Sequence, residues 1–200
     1  MIRLTRRACG AVLTALALNA CVGAAAAADA PAPKVKFATS EGDFVVEVYP
    51  DKAPKTVENF LQYVKDKHYD GTVFHRVIDN FMVQGGGYDT TYAEKKTRAP
   101  VVHEGREALA RGGAKNVVGT LAMARTSDPN SASSQFFINV KDNDFLNPST
   151  QAPGYTVFGK VASGMDVVNK IKALPTGAGG PFPSDVPKTP VVIKSATLVN

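Results

Sequence analysis

Arg76 is a charged residue in a stretch otherwise suited to burial, because Phe74 precedes it and Val77 follows it. A second apolar stretch comes soon after and carries Met82 and Gln84. Side chains two residues apart in a β-strand point to the same face, so Met82 and Gln84 are expected to share one. A guanidinium and an amide would then offer hydrogen-bond donors at the edge of an apolar surface.

A third apolar stretch has the same character. Gln135 and Phe137 alternate with Phe136 and Ile138, so if the latter two fill the interior, the former two point outward. Together with Arg76 they predict a shallow apolar pocket rimmed by amide and guanidinium donors, which suits a peptide. An arginine alone at this position would be better explained as an edge residue paired with a carboxylate, and it is the combination with the glutamines and apolar residues that favours the pocket.

Other chemistries lack their residues. The histidines, His68, His75 and His103, share no metal-ligand spacing, and each is expected to be a surface or hydrogen-bonded residue. Residues 85–87 are three glycines without the Gly-Lys-Ser/Thr ending of a phosphate-binding loop, and no serine has a Gly-x-Ser-x-Gly setting. The sequence therefore predicts no metal, no cofactor and no covalent catalysis.

Composition describes one ordinary domain. The chain has 200 residues, of which 44% are hydrophobic and 20% charged, enough for a single sizeable core. Its net charge of +5 comes largely from Arg3, Arg6 and Arg7. Without these three, 20 of the 23 basic residues remain against 18 acidic residues. No block of like charge is present, so nucleic-acid binding is not expected. No long apolar stripe demands a partner, which favours a monomer.

The amino terminus is typical of a secretory signal. Residues 1–7 are basic, residues 8–20 are mostly apolar, and small residues lead to Ala28, after which cleavage is expected. Two alternatives are an uncleaved membrane anchor and a lipoprotein signal ending at Cys21. Cleavage after Ala28 would remove both cysteines, which suits an oxidising compartment such as the periplasm. Residues 29–34 would form a short linker and residues 35–200 the folded domain.

The domain is predicted to be mainly β. Val57, Phe60, Leu61 and Val64 form one apolar helical face, and a second helix is expected at about 165–173. Residues 177–190 are rich in Gly and Pro and are expected to be a loop. Many short strands with two helices predict a closed eight-stranded antiparallel β-barrel capped by two α-helices. The eight strands are expected at 35–39, 44–49, 72–78, 81–84, 119–124, 135–140, 155–161 and 191–199.

Three blocks of the chain resemble the cyclophilin-type peptidyl-prolyl cis–trans isomerases. They are residues 74–86, residues 119–124 continuing through 134–138, and residues 157–161, and in order and spacing the match spans about 35–200. The resemblance implies the same capped barrel and an isomerase of X–Pro bonds. Such an isomerase needs no cofactor, and its partners would be proline-containing polypeptides.

The resemblance also implies roles for individual residues. Arg76 would be the catalytic residue, and His75 would lie near the site in a supporting role. The other substrate-binding residues would be Phe81, Met82, Gln84, Ala124, Arg125, Gln135, Phe137, Phe145, Leu146 and Tyr155. Of these, Phe81, Met82, Phe137 and Leu146 would form the proline pocket. Gln84 and Gln135, with the main chain of Ala124 and Arg125, would hold the substrate backbone.

Three departures resemble the bacterial periplasmic branch of the family. Phe145 stands where many eukaryotic members have tryptophan, Tyr155 replaces a pocket histidine, and Arg125 stands where many have asparagine. Losing the indole removes a donor and contact area, which predicts weak cyclosporin binding. The sequence thus predicts a periplasmic isomerase that assists the folding of unfolded or exported proteins. The competing hypotheses are a non-enzymatic peptide-holding module on the same barrel and a β-rich structural protein without a pocket.

Overall fold

The computed structural model describes residues 31–199. The predicted signal sequence, its cleavage after Ala28 and the lipidation alternative at Cys21 lie outside the described residues. Within 31–199, no helix is long and apolar enough to cross a membrane.

One antiparallel sheet dominates the structure. Its first two strands alternate strictly between buried and more exposed residues, with Val35, Phe37 and Phe44 turned inward. The nine strands are β1 (Lys34–Thr39), β2 (Asp43–Val48), β3 (Thr72–Val73), β4 (Arg76–Ile78), β5 (Met82–Gly85), β6 (Thr120–Met123), β7 (Phe136–Asn139), β8 (Val157–Ser163) and β11 (Val192–Val199).

The sheet curls until its two edges are joined by consecutive residues. The strand order is β3-β11-β1-β2-β8-β6-β7-β5-β4, so β3 and β4 stand at opposite edges. Only Phe74 and His75 separate these two strands in the chain. The predicted strand 72–78 is therefore divided, because its first part pairs with β11 and its second part with β5. With that segment counted once, the mainly β, eight-stranded barrel is confirmed.

Both predicted helices are present. Helix α1 (Pro54–Lys65) buries Val57, Phe60 and Val64 as expected, although Tyr63 is buried where Leu61 is only partly so. Helix α3 (Met165–Lys172) buries Val168 and Ile171. The prediction of only two helices was wrong, because α2 (Gly105–Ala110) adds a third. That helix has six residues, too few to show an apolar period.

The predicted loop at 177–190 was also wrong. It contains a hairpin of β9 (Thr176–Gly179) and β10 (Phe182–Pro187) that forms its own two-stranded sheet. Its register shifts between Phe182 and Val186, which leaves no regular alternation for a sequence pattern to display. The hairpin carries Phe182 against the barrel segment that precedes Arg76.

Two apolar clusters divide the strand residues between them. The larger fills the barrel and contains Phe37, Phe60, Phe136 and Ile138. The smaller lies on the opposite side of the same strands and contains Phe137. The predicted opposite orientations of Phe136 and Phe137 are thus confirmed. The smaller cluster of buried residues consists of Met82, Ala122, Phe137, Leu146 and Val157.

Candidate active site

Strand pairing brings the polar residues to one edge of the smaller cluster. Arg76 faces Gln84 across the β4–β5 hairpin, and Gln84 faces Phe137 on the other side. The hairpin turns tightly, with the Phe81 amide donating to the Ile78 carbonyl at 3.1 Å and Asn80 at a φ of 59°. Asparagine tolerates this left-handed conformation better than most residues. The turn therefore places Phe81 and Arg76 at the same surface.

A cavity of about 160 Å³ opens between these strands. Its floor is apolar and its edge carries the guanidinium and amide groups, as the sequence predicts. All of its lining residues belong to the predicted set: Arg76, Phe81, Met82, Gln84, Ala124, Arg125, Phe137, Leu146 and Tyr155.

Gln135 lies beside this cavity. Its Oε1 accepts a hydrogen bond from Gln84 Nε2 at 3.0 Å, so the two predicted glutamines form one pair. Gly87 makes room for it, because a Cβ at Gly87 would lie 2.5 Å from Gln135 Cγ. A side chain at position 87 would thus displace the Gln135 amide from the rim.

Phe145 is the outermost of the predicted residues. Its side chain is 73% exposed and stacks on Phe81, with the ring centroids 5.7 Å apart. It extends the apolar surface beyond the cavity without lining it.

The structure does not bring His75 to the cavity. Its ring is 3% exposed and lies between Tyr88 and Phe182, with centroids 4.7 and 5.3 Å away. Its Nδ1 atom has no hydrogen-bond partner among the described residues. Burial lowers the pKa of His75 to about 4; the nearby Val73 main chain opposes this shift, and the Arg76 charge acts in the same direction as burial. The ring is therefore neutral near pH 7 and packs as an aromatic residue.

The two arginines of the cavity differ in their bonding. Arg125 donates to the Gly154 carbonyl at 2.8 and 3.2 Å, and its guanidinium lies 4.6 Å from the centroid of the Tyr155 ring. Arg76 is exposed and forms no ion pair within residues 31–199. The alternative in which Arg76 is paired with a carboxylate is therefore not observed.

The described residues contain no group of side chains arranged to hold a metal ion. Across 31–199, no cluster of three or more His, Cys, Asp or Glu side chains has the arrangement of a metal site. The other two histidines bind main-chain oxygens: His68 contacts the Gly86 carbonyl and His103 the Gly154 carbonyl, both at 3.2 Å.

Sequence reasoning missed a set of buried amides behind the cavity. Asn116, Asn139 and Asn143 are between 0 and 2% exposed. Asn139 carries the same signal as Arg76, a polar residue within an apolar strand, and could have been found by it. Asn116 and Asn143 lie outside the strands, where asparagine is ordinary and gives no signal.

Comparison with known proteins shows the family to which this chain belongs. Residues 34–198 match the family described as cyclophilin type peptidyl-prolyl cis-trans isomerase/CLD. The chain belongs to the cyclophilin family. It is a peptidyl-prolyl cis–trans isomerase, and proline-containing peptides are the substrates of this family.

Bacterial relatives match nearly their whole lengths to this cyclophilin. Peptidyl-prolyl cis-trans isomerase B of Escherichia coli is 52% identical over 167 residues, which are 82% of this chain and 98% of the relative. Peptidyl-prolyl cis-trans isomerase A of Dickeya dadantii is 44% identical over 196 residues, 98% of this chain and 99% of the relative.

Solved structures agree on the fold. A cyclophilin type isomerase of Cryptosporidium parvum has a TM-score of 0.68 and 25% identity, covering 84% of this chain and 98% of its own. The same protein in the presence of the dipeptide Ala-Pro has a TM-score of 0.66 and 26% identity, covering 84% of this chain and 99% of its own.

Proposed function

We propose that this cyclophilin is exported and accelerates the rotation of X–Pro bonds in unfolded or exported proteins, with Arg76 stabilising the twisted amide. The observation that carries the proposal is the Arg76 guanidinium, which is exposed at the cavity and has no carboxylate partner among residues 31–199. Its donors are thus available to a substrate. The study of a relative in the presence of Ala-Pro supports a proline-containing ligand here.

The reaction requires no acid, base or cofactor. Resonance holds the X–Pro amide planar, and rotation crosses a barrier of about 18–20 kcal/mol, so exchange takes roughly tens to hundreds of seconds. When the bond is twisted, the prolyl nitrogen becomes pyramidal and regains its lone pair. A guanidinium donor aimed at that nitrogen stabilises the twisted form more than the planar one, which lowers the barrier. Arginine remains charged at any relevant pH.

The cavity supplies the grip that rotation needs. Four side chains would hold the proline ring, those of Phe81, Met82, Phe137 and Leu146, while the Gln84–Gln135 pair would hold the flanking backbone. Millisecond exchange requires a gain of about four to five decades, or roughly 6 kcal/mol. A charge-assisted hydrogen bond contributes only about 1.5–3 kcal/mol. Desolvation and positioning inside the cavity must therefore supply the remainder.

The test is X–Pro exchange in a short peptide, measured by NMR with purified protein. We expect exchange to rise by several decades above the uncatalysed rate, because the cavity binds the twisted amide better than the planar one. Saturable binding of the peptide without acceleration would instead identify a peptide-holding module on this scaffold.

The proposal that the protein is exported rests on its amino-terminal sequence. Residues 1–28 have the charge and hydropathy layout of a secretory signal. The alignment with the Dickeya protein spans 98% of this chain, whereas that with the Escherichia coli protein spans 82%. The amino-terminal segment therefore has a counterpart in the Dickeya protein, which supports a function for this segment other than catalysis.

Mass spectrometry of the protein recovered from the periplasmic, membrane and cytoplasmic fractions tests the processing. We expect a mature chain that begins at Asp29, because the small residues before it suit signal peptidase. A lipid-modified chain beginning at Cys21 would support the anchored alternative. A chain that retains residues 1–28 in the cytoplasm would contradict export.

Two further parts of the proposal follow from the surface. The exposed Phe145 ring offers apolar contact without the donor of an indole, which makes cyclosporin a weak ligand. The exposed large apolar side chains, Val102, Val118, Phe145 and Leu198, lie on separate segments of the chain. Only these four large apolar side chains are exposed among residues 31–199, so the proposal is of a monomer.

A further inference from the structure

We propose that a chain of three buried asparagines, Asn116, Asn139 and Asn143, positions the two walls of the cavity that holds the proline ring. The inference rests on the proposed function, in which this cavity binds proline. It assigns the three amides as positioning residues, since none of them lines the cavity.

The amides form an unbroken line of hydrogen bonds from one wall to the other. Asn143 Nδ2 donates to the Phe81 carbonyl at 2.9 Å and to Asn139 Oδ1 at 2.7 Å. Asn139 Nδ2 donates to Asn116 Oδ1 at 3.2 Å. Asn116 Nδ2 donates in turn to the Leu146 carbonyl at 3.2 Å. Phe81 and Leu146 both line the cavity, so the line joins two of its walls.

Each wall is held at its main chain by a second donor. The Phe81 carbonyl also accepts from the Val140 amide at 3.1 Å, and the Leu146 carbonyl accepts from the Tyr155 amide at 2.9 Å. The walls come from a hairpin turn and from a short 3-10 turn, Asp144–Leu146. The Phe81–Val140 bond continues the pairing of β5 with β7, whereas the Asp144–Leu146 turn is not part of the sheet. The strand pairing therefore fixes the first wall but does not by itself place the second wall against it.

Packing does not explain why these residues are amides. Leucine or methionine would fill similar space, and burial of an amide is unfavourable unless its hydrogen bonds are formed. Hydrogen bonds are directional, whereas apolar contacts are not. A fully bonded line of amides therefore holds two turns at a defined separation, which apolar side chains would not do as closely.

This role has a kinetic signature of its own. In the proposed function, Phe81 and Leu146 would contact the proline ring in both the planar and the twisted state, so misplacing them would weaken binding of both states alike. Such uniform binding changes KM and leaves kcat nearly constant, whereas a donor that acts only in the transition state changes kcat. The asparagines should thus affect affinity, and Arg76 should affect turnover.

The experiment compares Asn143→Ala with wild type in the full-length protein. Peptide affinity is measured by NMR titration with an Ala-Pro peptide, and exchange is measured at saturating peptide. We expect Kd to rise about tenfold, as a small misplacement of binding groups produces, while exchange at saturation changes less than about threefold. Thr72→Val is the matched control, because Thr72 is also buried and its hydroxyl donates to the Tyr69 carbonyl at 2.6 Å. Thr72 does not line the cavity. This control should leave Kd unchanged.

The possible results separate this inference from the proposed function. Wild-type protein that binds the peptide without accelerating exchange would contradict the isomerase mechanism and leave the affinity comparison intact. If the wild type is active and Asn143→Ala has the same Kd, the positioning role of the asparagines is overturned and the proposed function is not. Wild type that binds no proline peptide would overturn both.

A second variant is used if Asn143→Ala does not fold. Asn143→Asp keeps the size but turns carboxylate oxygens toward the Phe81 carbonyl and Asn139 Oδ1, which accept hydrogen bonds in the wild type. Protonation returns one donor. Relative to wild type at the same pH, we expect its affinity to be weak at pH 7 and to recover several-fold as the pH falls. Affinity that does not recover would overturn the proposal.

Discussion

Arg76→Ala is expected to lower X–Pro exchange at saturating peptide by about tenfold to a hundredfold, the kinetic equivalent of a charge-assisted hydrogen bond. Peptide affinity should change little, because the planar amide offers no lone pair for the guanidinium to bind. Exchange spectroscopy at saturating peptide measures the first quantity and NMR titration the second. The effect is large because Arg76 has no ion-pair partner among residues 31–199, so its donors serve the substrate alone.

Two further variants show whether the effect belongs to this guanidinium. Arg111→Ala removes the same charge from an exposed position where Arg111 donates to the Lys52 carbonyl, and it should leave exchange unchanged. Arg76→Lys keeps the charge but loses the planar fork of donors, and it should fall between wild type and alanine. Equal rates for Arg76→Ala and Arg111→Ala would remove Arg76 from the mechanism.

The barrel was predictable where burial alternates along a strand. Val35, Phe37 and the residues facing them in β2 bury every second side chain, and this alternation is visible in the sequence. The hairpin at 176–187 gives no such signal, because its residues are mostly exposed or half-buried and its composition is that of a loop. Its fold depends on packing against the barrel near His75, a contact between residues distant in sequence.

The site was predictable where a residue conflicts with its neighbours. Arg76 and Gln84 stand out because their strands are otherwise apolar, and the structure places both at the cavity. His75 has the same signal, yet it packs against Phe182, which the sequence could not place beside it. Polarity within a strand therefore marks a residue as unusual without saying which side of the barrel it faces.

The pH dependence of stability should depend strongly on His75. Its pKa in the folded protein is about 4 because the ring is buried, against 6.5 for an ordinary histidine. Below pH 6.5 the unfolded chain takes up a proton that the folded protein does not, so the free energy of unfolding decreases as the pH falls. At about 1.4 kcal/mol per pH unit, the loss between pH 6.5 and 4 reaches about 3 kcal/mol. Above pH 6.5 the residue contributes no dependence.

Urea unfolding at several pH values measures this loss. His75→Phe removes the titrating group and keeps an aromatic ring between Tyr88 and Phe182, so it should flatten the decrease between pH 6.5 and 4. Burial also lowers the pKa of His68 and of His103, so a smaller slope should remain. An unchanged slope in His75→Phe would contradict the assignment.

Phe182→Ala tests whether burial of the His75 ring beneath Phe182 is what lowers the pKa of His75. Phe182 stacks on the His75 ring, so its removal should admit water and return the pKa of His75 toward its ordinary value. The variant should therefore be less stable than wild type at pH 7, since contact area is lost, yet lose less further stability as the pH falls. His75→Phe should show the shallower slope with most of its pH 7 stability intact. A slope as steep as wild type in Phe182→Ala would mean that the hairpin does not shield His75 from protonation.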